Sequence, residues 1–374
     1  MAILRVLVVA EGSGGHLIPA LQTSQALSAS GAEVLCWYAA RPTTDGLLAE
    51  LWDPASGVRL EPLPIRAGAR RHPARRIWEM GRLWRAAQMQ FHTFRPHVVA
   101  GFGGWMSVPV VLAARRRRIP TLIHEQNAAL GRANRLLKPW VDLLALSFPT
   151  ASADAEARLR PPTVLTGLPT RGAIGALTRA EAARRLGGDA DRPTVLVVGG
   201  SQGSRALNQL ACGMADHMTE AERASWQIVH LAGSAEEATV DAAYRRAGVR
   251  AVVRPYLADM QLAYAAADVV ISRAGASTIA ELARCGLPGI LVPYPYAGGH
   301  QRHNAQLVER LGGGVRCEES QIQPEQLLGL LRRLLSDARL RWMMGQQMRT
   351  LAQPDAAGRL ADVILRVADS RAAA

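Results

Sequence analysis

Lysine is all but missing from this chain: Lys138 is the only one in 374 residues, so the formal net charge of +13 is carried by arginine. Arginine-heavy usage follows from a GC-rich genome as readily as from an anionic partner. Net charge alone therefore does not choose among lipid, anionic substrate and nucleic acid. Cysteine is scarce too. Cys36, Cys212, Cys285 and Cys317 lie far apart and form no CxxC pair, which argues against a disulfide or zinc framework and suits a reducing compartment. No apolar run approaches the roughly 20 residues that a membrane-spanning helix needs. The apolar start carries Arg5 and runs directly into a glycine turn, so it reads as a buried first strand and not as a signal peptide. The dinucleotide fingerprint G-x-G-x-x-G is also absent from that turn, and no acidic residue sits at the right place after the next strand, which disfavours an oxidoreductase.

What is present is a strand–turn–helix rhythm, met twice. Ile3–Ala10 is a continuous apolar run suited to a parallel strand buried on both faces. Glu11-Gly12-Ser13-Gly14-Gly15 forms the turn, and His16–Ser30 a helix ending at Gly31. Strands follow at Val34–Tyr38, Val98–Ala100 and Thr121–Ile123. The rhythm restarts at Thr194–Val198, which leads into Gly199-Gly200-Ser201-Gln202-Gly203, with later strands at Ile228–Leu231, Val269–Ser272 and Gly289–Val292. The fold class is therefore α/β, with two Rossmann-like, doubly wound parallel-sheet domains facing across a cleft. Ser152–Arg171, rich in proline, reads as the linker. The domains are expected at residues 1–167 and 168–354, with a C-terminal helix, about 355–374, joined to the first.

Each glycine turn opens a helix, and helix N-termini offer unpaired N–H groups to oxygen-rich ligands. For Ser13, Gly14 and Gly15 a plain tight turn is the competing reading. His16, at the helix start, is a candidate base, because imidazole exchanges protons near neutral pH. Ser201 offers a hydroxyl to phosphate. The motif Arg273-Ala274-Gly275-Ala276-Ser277-Thr278-Ile279-Ala280-Glu281 places two hydroxyls at a helix start and a carboxylate one turn on, the spacing for phosphate and then ribose. A capping box has the same spacing and needs no ligand. Gln301 and Asn304 suit sugar hydroxyls. His300 and His303 lack a third ligand nearby, so no metal is expected there. Asp189-Ala190-Asp191 precedes a strand, at the wrong end of a sheet, and reads as a solvated turn.

In their order and over nearly the whole chain, these motifs resemble the MurG family, glycosyltransferase family 28 with the GT-B fold. The resemblance implies inverting transfer of N-acetylglucosamine (GlcNAc) from UDP-GlcNAc to the C4 hydroxyl of the muramoyl sugar in lipid I, undecaprenyl-pyrophosphoryl-MurNAc-pentapeptide. It implies no cofactor and no metal. His16 matches the family's favoured base, and Glu125, in His124-Glu125-Gln126-Asn127, is the runner-up. Ser13, Gly14 and Gly15 match the loop facing donor sugar and acceptor diphosphate. Asn127, Arg171 and Gln301 match donor contacts, Ser201 a diphosphate contact, and Leu257 the position whose backbone pairs with uracil. Ala276, Ser277, Thr278, Ile279, Ala280 and Glu281 match the nucleotide helix. Glu11, Trp105 and Leu168 depart from a glycine, a tyrosine and an asparagine of the usual pattern, and Gly298-Gly299 is one residue short. Other GT-B transferases and a non-catalytic UDP-GlcNAc sensor remain as rival readings.

The partners implied are UDP-GlcNAc, lipid I, an anionic inner-membrane surface met from the cytoplasmic side, and cell-wall and division proteins, with no nucleic acid. The basic stretch Arg66–His97 holds Arg70, Arg71, Arg75, Arg76, Arg82 and Arg85. Read as a helix from about Pro73, it gathers Ile77, Met80, Trp84 and Phe91 on one side. That side is either a membrane face or a core face.

Overall fold

The computed structural model describes residues 3–41, 44–65, 73–149, 161–172, 174–200, 202–296 and 299–369. The chain divides into two compact units, residues 1–171 with 353–374, and residues 172–352.

In the first unit seven parallel strands stand in the order β3-β2-β1-β4-β5-β6-β7. They are β1 (Arg5–Glu11), β2 (Glu33–Ala39), β3 (Arg59–Pro62), β4 (Val98–Gly101), β5 (Thr121–Glu125), β6 (Leu143–Leu146) and β7 (Thr163–Leu165). The helices are α1 (Gly14–Ala29), α2 (Thr44–Leu51), α3 (Pro73–Thr93), α4 (Ser107–Arg116) and α5 (Arg132–Leu137). Successive residues of a strand point to opposite faces. Val6, Val8 and Ala10 accordingly join one core with α1 and the last helix of the chain, while Leu7 and Val9 join another with α3 and α4. Both faces being covered, β1 has no polar alternation, which is why it reads as one apolar run.

The second unit holds six parallel strands in the order β10-β9-β8-β11-β12-β13. These are β8 (Thr194–Val198), β9 (Gln227–Leu231), β10 (Ala251–Arg254), β11 (Val269–Ser272), β12 (Gly289–Leu291) and β13 (Gly314–Arg316). Its helices are α6 (Arg179–Leu186), α7 (Arg205–Asp216), α8 (Glu220–Ser225), α9 (Glu237–Arg246), α10 (Met260–Ala266), α11 (Ala276–Cys285), α12 (His300–Arg310), α13 (Pro324–Ser336) and α14 (Ala338–Arg349). The chain then returns to the first unit as α15 (Ala356–Asp369), which packs on α1.

Three sequence expectations change. Ser152–Arg171 is not simply a linker, because Thr163–Leu165 pairs with β6 as the outermost strand of the first sheet. The first helix starts at Gly14, with Ser13 as its N-cap, so Gly14 and Gly15 form its first turn. On α3, Phe91 is buried and Met80 and Trp84 pack partly buried against the first-unit core, whereas Ile77 is 72% exposed. The apolar side drawn through Ile77, Met80, Trp84 and Phe91 is thus mainly a core face. Arg70 and Arg71 lie outside the described residues, as do the side chains of Arg75 and Arg76.

The topology fixes where ligands can bind. In an open parallel sheet a crevice opens at the carboxyl edge where the strand order reverses. That point lies between β1 and β4 in the first unit and between β8 and β11 in the second. All four strands end in glycine-containing turns.

Candidate functional site

In the first unit, β1 ends at Glu11 and α1 begins three residues later. The first turn of α1 contains no acidic residue, and Ser13 makes no side-chain cap hydrogen bond. Its hydroxyl instead meets His16 Nδ1 at 2.7 Å and orients the ring. Beside it stands the turn after β4. Gly103 has φ +79, and a Cβ there would lie 2.9 Å from His16 Cδ2 and 3.1 Å from Nε2. Glycine adopts that backbone without strain and adds no Cβ against the His16 ring.

Glu11, at the end of β1, ties three neighbouring loops together. Its carboxylate pairs with Arg41 at 2.9 Å and accepts the Trp105 backbone N–H at 3.2 Å. Gly104, φ +79, gives it room, since a Cβ there would stand 2.2 Å from Glu11 Cγ. Thr44 Oγ1 completes the clasp, accepting the Arg41 N–H at 2.9 Å and donating to the Gly12 carbonyl at 3.2 Å. The sequence reading saw Glu11 only as a departure from a pattern; its role depends on residues 30 and 94 positions away.

The end of β5 is a buried polar knot. Both Glu125 oxygens are occupied: Asn127 N and Nδ2 donate to Oε1 at 2.9 and 3.1 Å, and Gly131 N and Asn134 Nδ2 donate to Oε2 at 2.8 Å each. A carboxylate holding four donors while 2% exposed shapes the turn that carries Asn127. Glu125, the runner-up base of the sequence reading, thus holds the loop that carries Asn127 through all four of these bonds. His124 is fully buried, and burial lowers its pKa to about 4, against the raising effect of its bond to Gly167. It is neutral at pH 7, with Nε2 3.1 Å from the Gly167 carbonyl, tying β5 to the segment that holds buried Leu168 and partly buried Arg171.

In the second unit the turn after β8 is shaped by tight contact: a Cβ on Gly203, φ +75, would lie 2.2 Å from the Ala232 carbonyl oxygen. Ser201 lies outside the described residues. Ser204 caps α7 and receives a hydrogen bond from Arg273 at 2.8 Å. Arg273, 9% exposed, also bonds the Val292 carbonyl at 3.2 Å, pairs with Glu319 and lies over the Tyr294 ring. One guanidinium thus fixes the loops at the ends of β8, β11, β12 and β13, a part the sequence did not disclose.

The motif after β11 resolves the capping-box alternative. The N-cap of α11 is Gly275, which has no side chain to cap with, and the first turn holds no acid. Thr278 and Glu281 therefore form no capping box, and among the described residues no side chain caps this positive helix end. Ser277 Oγ is buried with no hydrogen-bond partner among the described residues. A buried hydroxyl of that kind costs about 1–3 kcal/mol unless something else completes it. Ala276, Ile279 and Ala280 are buried and seat the helix. Glu281 is 6% exposed, and its Oε2 accepts the Tyr264 hydroxyl at 2.8 Å. Leu257 lies partly buried in the loop before α10. Gln301 Oε1 accepts the Tyr294 N–H at 2.9 Å, and Asn304 Nδ2 donates to the Ala274 carbonyl at 3.0 Å, so both help to hold the loops around α11. Gly298 lies outside the described residues. Asp189 is a turn residue, accepting from Asp191 N and Arg192 Nε at 3.0 Å each. Among the described residues no group of three or more His, Cys, Asp and Glu side chains is arranged to hold a metal ion.

Comparison with known proteins adds a name to each half. Residues 6–145 match the glycosyltransferase family 28 N-terminal domain, and residues 194–360 the glycosyltransferase family 28 C-terminal domain. A protein of Halothermothrix orenii is 34% identical over 370 residues, 96% of this chain and 98% of its own length. A Nocardioides protein is 36% identical over 371 residues, 97% of this chain and 98% of its own. Both are named UDP-N-acetylglucosamine–N-acetylmuramyl-(pentapeptide) pyrophosphoryl-undecaprenol N-acetylglucosamine transferase. The crystal structure of MurG from Acinetobacter baumannii aligns with a TM-score of 0.77 at 28% identity, covering 97% of this chain and 99% of that one. The calicheamicin glycosyltransferase CalG4 aligns at 0.66 with 17% identity and shares the fold alone.

Proposed function

The chain belongs to glycosyltransferase family 28, and from that premise we propose that it transfers GlcNAc from UDP-GlcNAc to the C4 hydroxyl of the muramoyl sugar in lipid I, forming lipid II for peptidoglycan. The observation that carries this reading is identity of 34–36% along nearly the entire chain with relatives named for that transfer.

The reaction is an inverting displacement in one step. The acceptor hydroxyl attacks the anomeric carbon, the bond to the UDP oxygen breaks, and the hydroxyl proton passes to His16. Ser13 holds Nδ1 and so presents Nε2 towards the acceptor. The N–H groups at Gly14 and Gly15 receive acceptor or sugar oxygens. Asn127, Arg171 and Gln301 hold the donor sugar. Leu257 reads uracil with its backbone, and Glu281 takes the ribose. Ser277, Thr278 and the start of α11 meet the charge that develops on the leaving diphosphate, a role the family pattern also assigns to Ser201. That set stands in place of a metal ion, so EDTA leaves the rate unchanged.

The test supplies UDP-GlcNAc with a short-chain lipid I analogue and follows UDP and disaccharide together. One UDP per disaccharide is expected. Bound donor without UDP release on adding acceptor means a sensor, and preferred transfer to diacylglycerol means a different transferase.

Among the described residues no helix is long and apolar enough to cross a membrane. Peripheral contact with the cytoplasmic face of the inner membrane rests on Ile77 and Trp78, 72% and 58% exposed, with the Arg82 guanidinium 4.8 Å from the Trp78 ring centre. Aromatic and basic side chains together suit an anionic interface, each arginine adding about 1 kcal/mol. Sedimentation with anionic vesicles measures this: replacing Ile77 and Trp78 with serine lowers the bound fraction, and undiminished binding rejects that face.

A further inference from the structure

Tyr264 takes no part in the reading above, yet it is 2% exposed and aims its only polar atom at Glu281. Its hydroxyl donates to Oε2 at 2.8 Å, and the carboxylate itself is 6% exposed. In so dry a setting a hydrogen bond to a charged oxygen is strong and directional. It fixes which way the carboxylate plane faces.

The two partners come from different elements. Glu281 stands in the second turn of α11, whose start carries Ser277 and Thr278. Tyr264 stands in α10, and α10 begins at Met260, three residues after Leu257. The loop holding Leu257 thus continues without a break into the helix that grips the carboxylate. Met260 N bonds back to the Ala258 carbonyl at 2.9 Å and keeps the junction short. The base-reading loop and the ribose-reading carboxylate are joined through one phenol.

We propose that Tyr264 is a positioning residue for the donor nucleotide: by holding Oε2 of Glu281 it orients the carboxylate for the ribose hydroxyls and locks that subsite to the uracil loop. The inference rests on the assignment of Glu281 to ribose. Its consequence is discrimination. A carboxylate held in one orientation rewards a ribose with both hydroxyls and penalises one that lacks the 2′ hydroxyl. Once free to turn, it recovers part of its hydrogen bonding by rotation and the penalty shrinks.

Calorimetric titration of the full chain with UDP and 2′-deoxy-UDP tests this on Tyr264→Phe, which keeps the ring and removes only the hydroxyl. UDP affinity should fall about tenfold, as for loss of one hydrogen bond to a charged group. The preference for UDP over 2′-deoxy-UDP should shrink, with kcat at saturating donor unchanged. A residue that merely packs would weaken both ligands equally and leave their ratio alone. An equal loss, or no loss, overturns the proposal. Glu281→Gln, run in parallel, separates the two levels of the claim. If it changes the ratio while Tyr264→Phe does not, the tyrosine is idle; if it too leaves UDP and the ratio unchanged, the ribose assignment itself fails.

Discussion

Replacing His16 with alanine lowers kcat by about 10²–10⁴-fold, the range general-base catalysis supplies, with UDP-GlcNAc affinity unchanged. The expectation follows from position. Ser13 already engages Nδ1, and the ring edge bearing Nε2 faces Gly103, whose missing side chain leaves room beside it. His124 is disqualified by burial, which pushes its pKa down to about 4 and keeps it neutral as a donor to Gly167. Glu125 is engaged by four donors that hold its turn, which favours His16 as the proton acceptor. A steady-state comparison of kcat with donor KM is decisive here. Turnover near that of the parent removes His16 from the chemistry, whereas a rise in donor KM alone makes it a binding group.

Replacing Glu281 with alanine weakens UDP-GlcNAc binding by about 1–3 kcal/mol, or roughly 5- to 150-fold, through loss of charged hydrogen bonds. Acceptor KM should stay where it was, since the substitution touches only the second unit. A donor KM equal to that of the parent chain would take Glu281 out of the nucleotide site.

The strand–turn–helix segments that carry the candidate site were legible in the sequence. A buried strand, a glycine turn and a helix start leave an apolar run followed by small residues, and the positions of Thr194–Val198 and Val269–Ser272 read directly as the strands observed. Tertiary partnerships left no such trace. Asn134 reaches Glu125 from the start of α5, Tyr264 reaches Glu281 from another helix, and Glu11 meets Trp105 across the sheet edge. Only three-dimensional packing shows that the runner-up base also shapes a turn. Short strands were hard to see for a related reason. Thr163–Leu165 and Gly314–Arg316 span three residues each, too few to display a period, and proline or glycine on their flanks disguised them as loops. On α3 both faces carry aromatic residues, so helical spacing alone did not separate the side against the core from the side bearing Trp78.

A crystal structure of the chain with UDP-GlcNAc bound addresses the central claim most directly. The diphosphate should lie against the start of α11 beside Ser277 and Thr278, with ribose hydroxyls on the Glu281 carboxylate. A nucleotide found at any other place, with that helix start bare, would contradict the account.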